Sequence, residues 1–300
     1  VFVDSVSMPD DDLIQPFTIE ASGLHGRLVR LGPALDKPLR AHDYPEPVAA
    51  LLGETIALVA GLAGGLKYDG VFSLQARGDG PVSLMVADVT TDGGLRGYAS
   101  MRGDIPDGTP SVPRLLGAGM MAFTVDQGPD MEKYQGIVEI QGATLTDCVH
   151  HYFQQSGQFT AGVKLACQRL PNGQWRGGAL LLQRLPEDEN PEERDRMEDA
   201  WHTAMVLLGS CRDDELCDPD LDAYSLLFRL FHEDGVRVFP HKPLQFSCKC
   251  TSDRMYAAVA MLTPEELDEM TVDGRITVTC QFCSSEQVFD PDELKRNPAS

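Results

Sequence analysis

Cys248, Cys250, Cys280 and Cys283 place four sulfur donors in a C-x-C…C-x-x-C arrangement within the last 53 residues of the chain. Two tight pairs separated by 29 residues suit closure around one tetrahedral ion, each pair filling two corners. Zinc held by four sulfurs has no open position for water or substrate, so the expected role is structural or redox-responsive rather than hydrolytic. One such pair also suits a static knuckle or a disulfide; two pairs in one short polar segment favour the metal. The opening VFVDSVSMPDDD has neither a basic n-region nor an apolar h-region, so a reducing compartment is expected, where thiols stay free to bind metal.

Charge narrows the partners. The chain carries 46 acidic against 25 basic residues, a formal charge of −21. Such a field repels phosphate backbones and anionic lipid, and no Lys/Arg stripe interrupts it, so neither nucleic acid nor a membrane is an expected partner. The longest apolar stretch, Pro47 to Leu66, is interrupted by Gly53, Glu54, Thr55, Gly61, Gly64 and Gly65. It reads as a buried helix with a glycine-rich end rather than a membrane span.

The fold class expected is α+β, in three parts: a large sheet-and-helix N-terminal domain, a helical acidic linker and a small four-cysteine zinc-binding domain. Residues 1–17 read as a disordered extension and 18–186 as the core. Within the core, Leu24–Leu31, Val71 or Phe72–Gln75, Val82–Val89, Leu95–Ala99, Gln135–Gly142 and Leu180–Leu185 have strand texture. The Gly-Asp-Gly-Pro and Asp-Gly-Gly turns make an antiparallel meander of the second to fourth of these. Tyr44–Leu62 is a helix entered through Pro45 and Pro47, and Thr144 to Asp147 is a capping box opening another.

Residues 187–243 form the linker. Glu187 to Asp199 has eight carboxylates and two arginines, and Asp213 to Asp222 has six more carboxylates. Beside them Leu226, Leu227, Leu230 and Phe231 make an apolar stripe in AYSLLFRLFH. Clustered like charges repel most when compact, whereas the stripe needs compaction to be buried, so marginal stability is expected. The bland alternative is a helical linker with a solvated acidic face.

Residues 244–300 contain too few apolar side chains for independent stability. Thr263-Pro-Glu-Glu266 signals a capped helix, and Ile276, Val278 and Val288-Phe289 read as the two arms of a knuckle on Cys280 and Cys283. Structural zinc binds with an apparent free energy of roughly 10–16 kcal/mol, as large as a small domain's stability. Oxidation to Cys248–Cys250 and Cys280–Cys283 would exchange a crosslink over a long loop for two local ones. If linker and zinc segment depend on each other, metal loss exposes the stripe, and apolar surface bordered by charge suits holding unfolded chains. A static zinc adaptor and a thiol-disulfide oxidoreductase are the alternatives.

Other groups carry less. His150 and His151 point to different helix faces, and Gly61, Gly64 and Gly65 follow a helix instead of opening one. Asp88 and Asp92 read as turn carboxylates. Cys148 and Cys167 are expected to be buried and inert. Cys211 and Cys217, in the acidic linker, are expected to be slow to ionise because of nearby negative charge, and able to pair only if the linker opens.

Several blocks in order carry a resemblance: HDYPEPVAALLGETIALVAGLAGGLKYDGVFSLQARGDGPVSLMVAD, YQGIVEIQGATLTDCVHHYFQQSGQ, WRGGALLLQRLP, ELCDPDLDAYSLLFRLFHEDGVRVF and FSCKC…VTCQFC. The chain resembles the redox-regulated thirty-three-kilodalton heat-shock chaperone family of bacteria. The resemblance implies a non-enzymatic, ATP-independent holdase of the cytoplasm that binds unfolded client proteins. It implies one Zn2+ per chain in the reduced form on Cys248, Cys250, Cys280 and Cys283. Two disulfides, zinc release, linker unfolding and a homodimer follow oxidation, with clients passed to ATP-dependent refolding chaperones. Two departures stand out: Gln287 replaces the family's usual tyrosine, and family members generally lack Cys211 and Cys217.

Overall fold

The prolines and glycines around the Pro47–Leu66 stretch mark the ends and contact faces of a helix buried between two sheets. In the computed structural model, which describes residues 11–105, 111–128, 131–156, 160–184 and 191–296, the chain divides into two compact units, Val1–Phe246 and Ser247–Ser300.

The first unit runs β1 (Leu13–Ile19), β2 (Leu24–Leu31), α1 (Pro33–Arg40), α2 (Glu46–Ala63), β3 (Val71–Gly78), β4 (Val82–Thr90), β5 (Gly94–Met101) and α3 (Val112–Leu116). It continues with β6 (Gly119–Asp126), β7 (Tyr134–Glu139), α4 (Leu145–Ser156), β8 (Ala161–Arg169) and β9 (Trp175–Gln183). Then come α5 (Pro191–Ser210), α6 (Asp213–Leu216), α7 (Ala223–Phe231), β10 (Val236–Val238), β11 (Lys242–Pro243) and β12 (Gln245–Phe246). One sheet has the order β10-β1-β2-β9-β8, with β11 also on β1, and the other β12-β5-β4-β3-β6-β7. The expected meander is the β3-β4-β5 run, and the pairs are antiparallel except β12 with β5.

Helix α2 packs Leu52, Ile56, Val59 and their neighbours against Val29 and Leu181 of the first sheet and Leu74, Met85 and Leu95 of the second. Close approach requires two of its glycines: a Cβ at Gly53 would lie 2.2 Å from Cys167 Sγ, and one at Gly61 2.4 Å from Leu181 Cδ1. By length and mean hydropathy (1.5) α2 would cross a membrane, yet 78% of it is buried inside the protein, as a core helix is.

The first sheet is covered on both faces, which is why β9 reads as a nearly unbroken apolar run. Its face away from α2 carries Phe17, Ile19, Leu24, Leu28, Leu180 and Leu182, packed on Ala204 and Leu208 of α5, Leu216 of α6 and the α7 stripe.

These contacts correct three expectations. The extension assigned to 1–17 ends in a strand: Leu13, Ile14 and Phe17 are buried in β1, while residues 1–10 lie outside the described residues. The linker assigned to 187–243 belongs to the same compact unit as the core, because its helices bury the sheet's second face and β10 and β11 pair with β1; residues 185–190 lie outside the described residues. The C-terminal unit starts at Ser247 rather than 244, because Leu244 is buried and Gln245–Phe246 pair with β5. The sequence also gave no signal for β6, β8 or α1, the last holding Pro38 within it.

The second unit has α8 (Ser252–Val259), α9 (Pro264–Met270), β13 (Ile276–Thr279), β14 (Glu286–Phe289) and α10 (Pro291–Arg296). Thr251 caps α8, and Thr263 and Glu266 form the reciprocal capping box of α9. Among the described residues its buried apolar side chains are Met255, Val259, Ala260, Leu267, Ile276 and Leu294. A core this small does not hold a fold of this length by itself.

Candidate metal centre and linker latch

Cys248 and Cys250 lie on the extended segment before α8, Cys280 follows β13, and Cys283 sits in the turn leading to β14. That turn is tight. Ser284 donates its N–H to the Cys280 carbonyl at 2.8 Å and takes a φ of 54°, and the Cys280 N–H donates to the Ser285 carbonyl at 2.9 Å. The β13-β14 ladder, Ile276 to Phe289 through Thr279 to Glu286, thus aims both knuckle sulfurs at the Cys248–Cys250 arm.

The four sulfurs lie within 4.8 Å of one another. A tetrahedral zinc site with bonds of about 2.3 Å has sulfur–sulfur edges of about 3.8 Å, so the donor set fits the ion in size and softness. The shortest approaches run across the pairs: Cys248 Sγ to Cys280 Sγ is 3.6 Å and Cys250 Sγ to Cys283 Sγ 3.3 Å. Ser285 Oγ stands 3.4 Å from Cys250 Sγ and 3.2 Å from Cys283 Sγ. Burial pushes the Cys248 thiol up to about 12. At Cys283 burial is outweighed by the Ser285 hydroxyl and N–H together with Cys250 and Cys280, which bring it down to about 7.

The apolar stripe is closed. Leu226, Leu227, Leu230 and Phe231 are buried, and the Phe231 ring stacks on Phe17 at 5.7 Å. On the opposite face of α7, Tyr224 and Phe228 are exposed.

Holding α6 in place is a set of charged groups that sequence reasoning missed. Arg176 donates from Nε to the Cys217 carbonyl at 2.9 Å and pairs through its other nitrogens with Asp11, while the fully buried Arg30 donates to the Asp218 carbonyl. Cations at the carbonyl end of a helix are favourably placed. Lys164 of β8 meets Asp213 at 2.5 Å, and Arg229 pairs with Glu215. Glu54 of α2 is raised to about 7, chiefly by burial and next by Asp213, with Lys164 opposing. Only the Arg in WRGG and the Arg in LVRL, two cations inside apolar strands, hinted at this latch.

Cys211 and Cys217 are buried in the same cluster. Burial, rather than the charge expected from the sequence, comes first in raising their thiols, to about 11 and about 12, with acidic neighbours secondary. Cys148 is buried and raised to about 11 for the same reason, and Cys167 packs on Gly53. Asp88 is a strand residue, not a turn one: it accepts from Ser73 at 2.6 Å and pairs with Arg96.

A family model described as Hsp33 protein matches residues 12–290. The 33 kDa chaperonin of Caulobacter vibrioides is 43% identical over 291 residues, covering 94% of this chain and 95% of its own. That of Pseudomonas fluorescens SBW25 is 37% identical, with coverage of 96% and 93%. The solved structure of the 33 kDa chaperonin from Thermotoga maritima superposes with a TM-score of 0.81 at 19% identity, covering 95% of this chain and 97% of that one, which shows a shared fold.

Proposed function

The chain belongs to the Hsp33 family, and on that premise we propose that it is a redox-regulated, ATP-independent holdase that keeps unfolding proteins from aggregating under oxidative stress. The observation that carries this reading is the convergence of four half-buried sulfurs in a unit whose apolar core is too small to stand alone. It acts in the cytoplasm, as a binder rather than an enzyme.

In the reduced state Cys248, Cys250, Cys280 and Cys283 hold one Zn2+. The ion would supply a crosslink between the two arms of the unit and keep the thiols ionised. Each thiolate pair loses two electrons to one peroxide, which takes up two protons from solvent and becomes two molecules of water, and closes as Cys248–Cys250 or Cys280–Cys283. Sulfurs committed to these local bonds no longer join the arms, and the chain's own core does not replace the lost crosslink. The linker region, α5 to α7, then leaves the first sheet. Leu226, Leu227, Leu230 and Phe231, with the sheet face beneath them, become the apolar surface offered to clients, and their burial in the resting state keeps that surface silent. Oxidised chains pair as homodimers, and clients pass to ATP-dependent refolding chaperones after reduction.

Suppression of client aggregation before and after peroxide, with zinc release recorded on the same sample, tests the reading. Activity is expected only after metal loss; an unchanged level despite complete thiol oxidation leaves a static zinc adaptor. Mass-spectrometric mapping adds a sharper check, because Cys248–Cys280 or Cys250–Cys283 bonds, across the shortest approaches, would preserve the crosslink and refute release by oxidation.

A further inference from the structure

Among the described residues the buried arginines Arg30, Arg176 and Arg184 have charged or backbone-carbonyl partners, whereas the half-buried Arg27 has none of either kind. Arg30 and Arg176 engage Asp11 and the carbonyls after α6, and Arg184 pairs with Glu198 at 2.6 Å. Arg27, on β2, has no carboxylate partner among the described residues. Its Nε is buried with no hydrogen-bond partner, and among the described residues its one hydrogen bond is from Nη2 to Gln183 Oε1 at 3.3 Å. Burial alone holds the group below an ordinary arginine's range, with no neighbouring charge contributing.

The guanidinium borders a small cleft of about 120 Å³ whose walls include Leu62, Leu66, Phe72, Phe123, Tyr152 and Phe153. Phe123 and Tyr152 stack at 4.2 Å, which fixes the aromatic wall. Gly65 makes room for the cation: a Cβ there would lie 2.0 Å from Arg27 Nη1. Among the described residues no hydrogen bond joins Arg27 to the end of α2, where the Ala60, Leu62 and Ala63 carbonyls accept from the N–H groups of Gly64, Gly65 and Leu66. A partly desolvated cation is costly without a counter-charge, and an apolar cleft with one convergent charged group is the usual form of a small-ligand site.

We propose that this cleft binds a small monocarboxylate carried on an aromatic or aliphatic group, the carboxylate meeting the Arg27 guanidinium and the apolar part lying against Phe72, Phe123 and Tyr152. Charge-assisted, bidentate pairing supplies the selectivity for the acid. The site stands apart from the redox chemistry, and its test needs neither oxidant nor client.

Phenylacetate and its neutral isostere phenylacetamide, titrated by calorimetry or NMR into the reduced full chain, decide it. The acid is expected to bind at least about tenfold more tightly than the amide. Arg27→Met should erase that preference, with circular dichroism checking the fold. Leu66→Glu, at a mouth position 41% exposed, should weaken the acid at least about fivefold more than it weakens the amide; it decides the matter if Arg27→Met misfolds. Equal binding of acid and amide, a preference that survives Arg27→Met, or no binding of the acid at about 10 mM overturns the assignment. Binding of acetyl-Ala-Ala-Phe in place of phenylacetate also overturns it, giving the cleft to polypeptide ends instead of free acids.

Discussion

Glu54 is the residue through which pH reaches the docked linker. Its carboxyl, raised to about 7 from 4.5 by burial and then by Asp213, binds its proton more tightly in the closed protein than in an opened chain. The sign follows: this contribution is fully favourable below pH 4.5, is lost as pH rises through about 7, and then levels off. Glu54→Gln should flatten the pH dependence of α5–α7 hydrogen-exchange protection across that window and strengthen docking at pH 8 by roughly 1–3 kcal/mol. An unaltered slope would remove Glu54 from the latch. Cys280→Ser tests the other end of the chain. Loss of one of four donors should abolish zinc retention and amide protection in α8–β14 while the protein is still reduced.

Among the elements, α6 concentrates the docking energy in one short turn. Arg176→Met strands the Cys217 carbonyl and Asp11 together, so the linker should open at a cost lower by about 2–4 kcal/mol, read as faster exchange in α5–α7 with β3–β5 unchanged. Equal protection there would mean that the apolar stripe alone holds the linker. The stripe itself was legible from the spacing of Leu226, Leu227, Leu230 and Phe231, as were α2, the β3-β5 meander and the Thr263 capping box, because each is written in local periodicity or turn chemistry. Legible too were the four cysteines, whose meeting needs only their spacing. What the stripe packs on was not legible. Phe17 and Leu24 lie some 200 positions away in the chain, and β1 was hidden by its acidic, proline-bearing surroundings. Arg27 and the α6 latch escaped for a related reason: an arginine in a strand looks alike in sequence whether a carboxylate faces it or not.

For the whole molecule, the charge of −21 works against every compact form, and screening relieves it over about 10 Å at 0.1 M salt. Raising NaCl from about 20 to about 300 mM should therefore increase the thermal midpoint of the reduced protein by several degrees. A fall would show that the ion pairs at Asp11, Asp213 and Glu215 outweigh the general repulsion. Removing metal with a chelator under reducing conditions should unfold Ser247–Ser300 and leave the β2-β9 and β3-β4 ladders protected.

The pairing of β10 and β11 with β1, and of β12 with β5, gives the linker helices an anchor downstream as well as at β9 upstream. If α5 to α7 lift off the sheet as proposed, they would make a handle fastened at both ends, not a free tail. Its sweep would be confined to the neighbourhood of the face it uncovers, so that a client bound there would be held between strap and sheet.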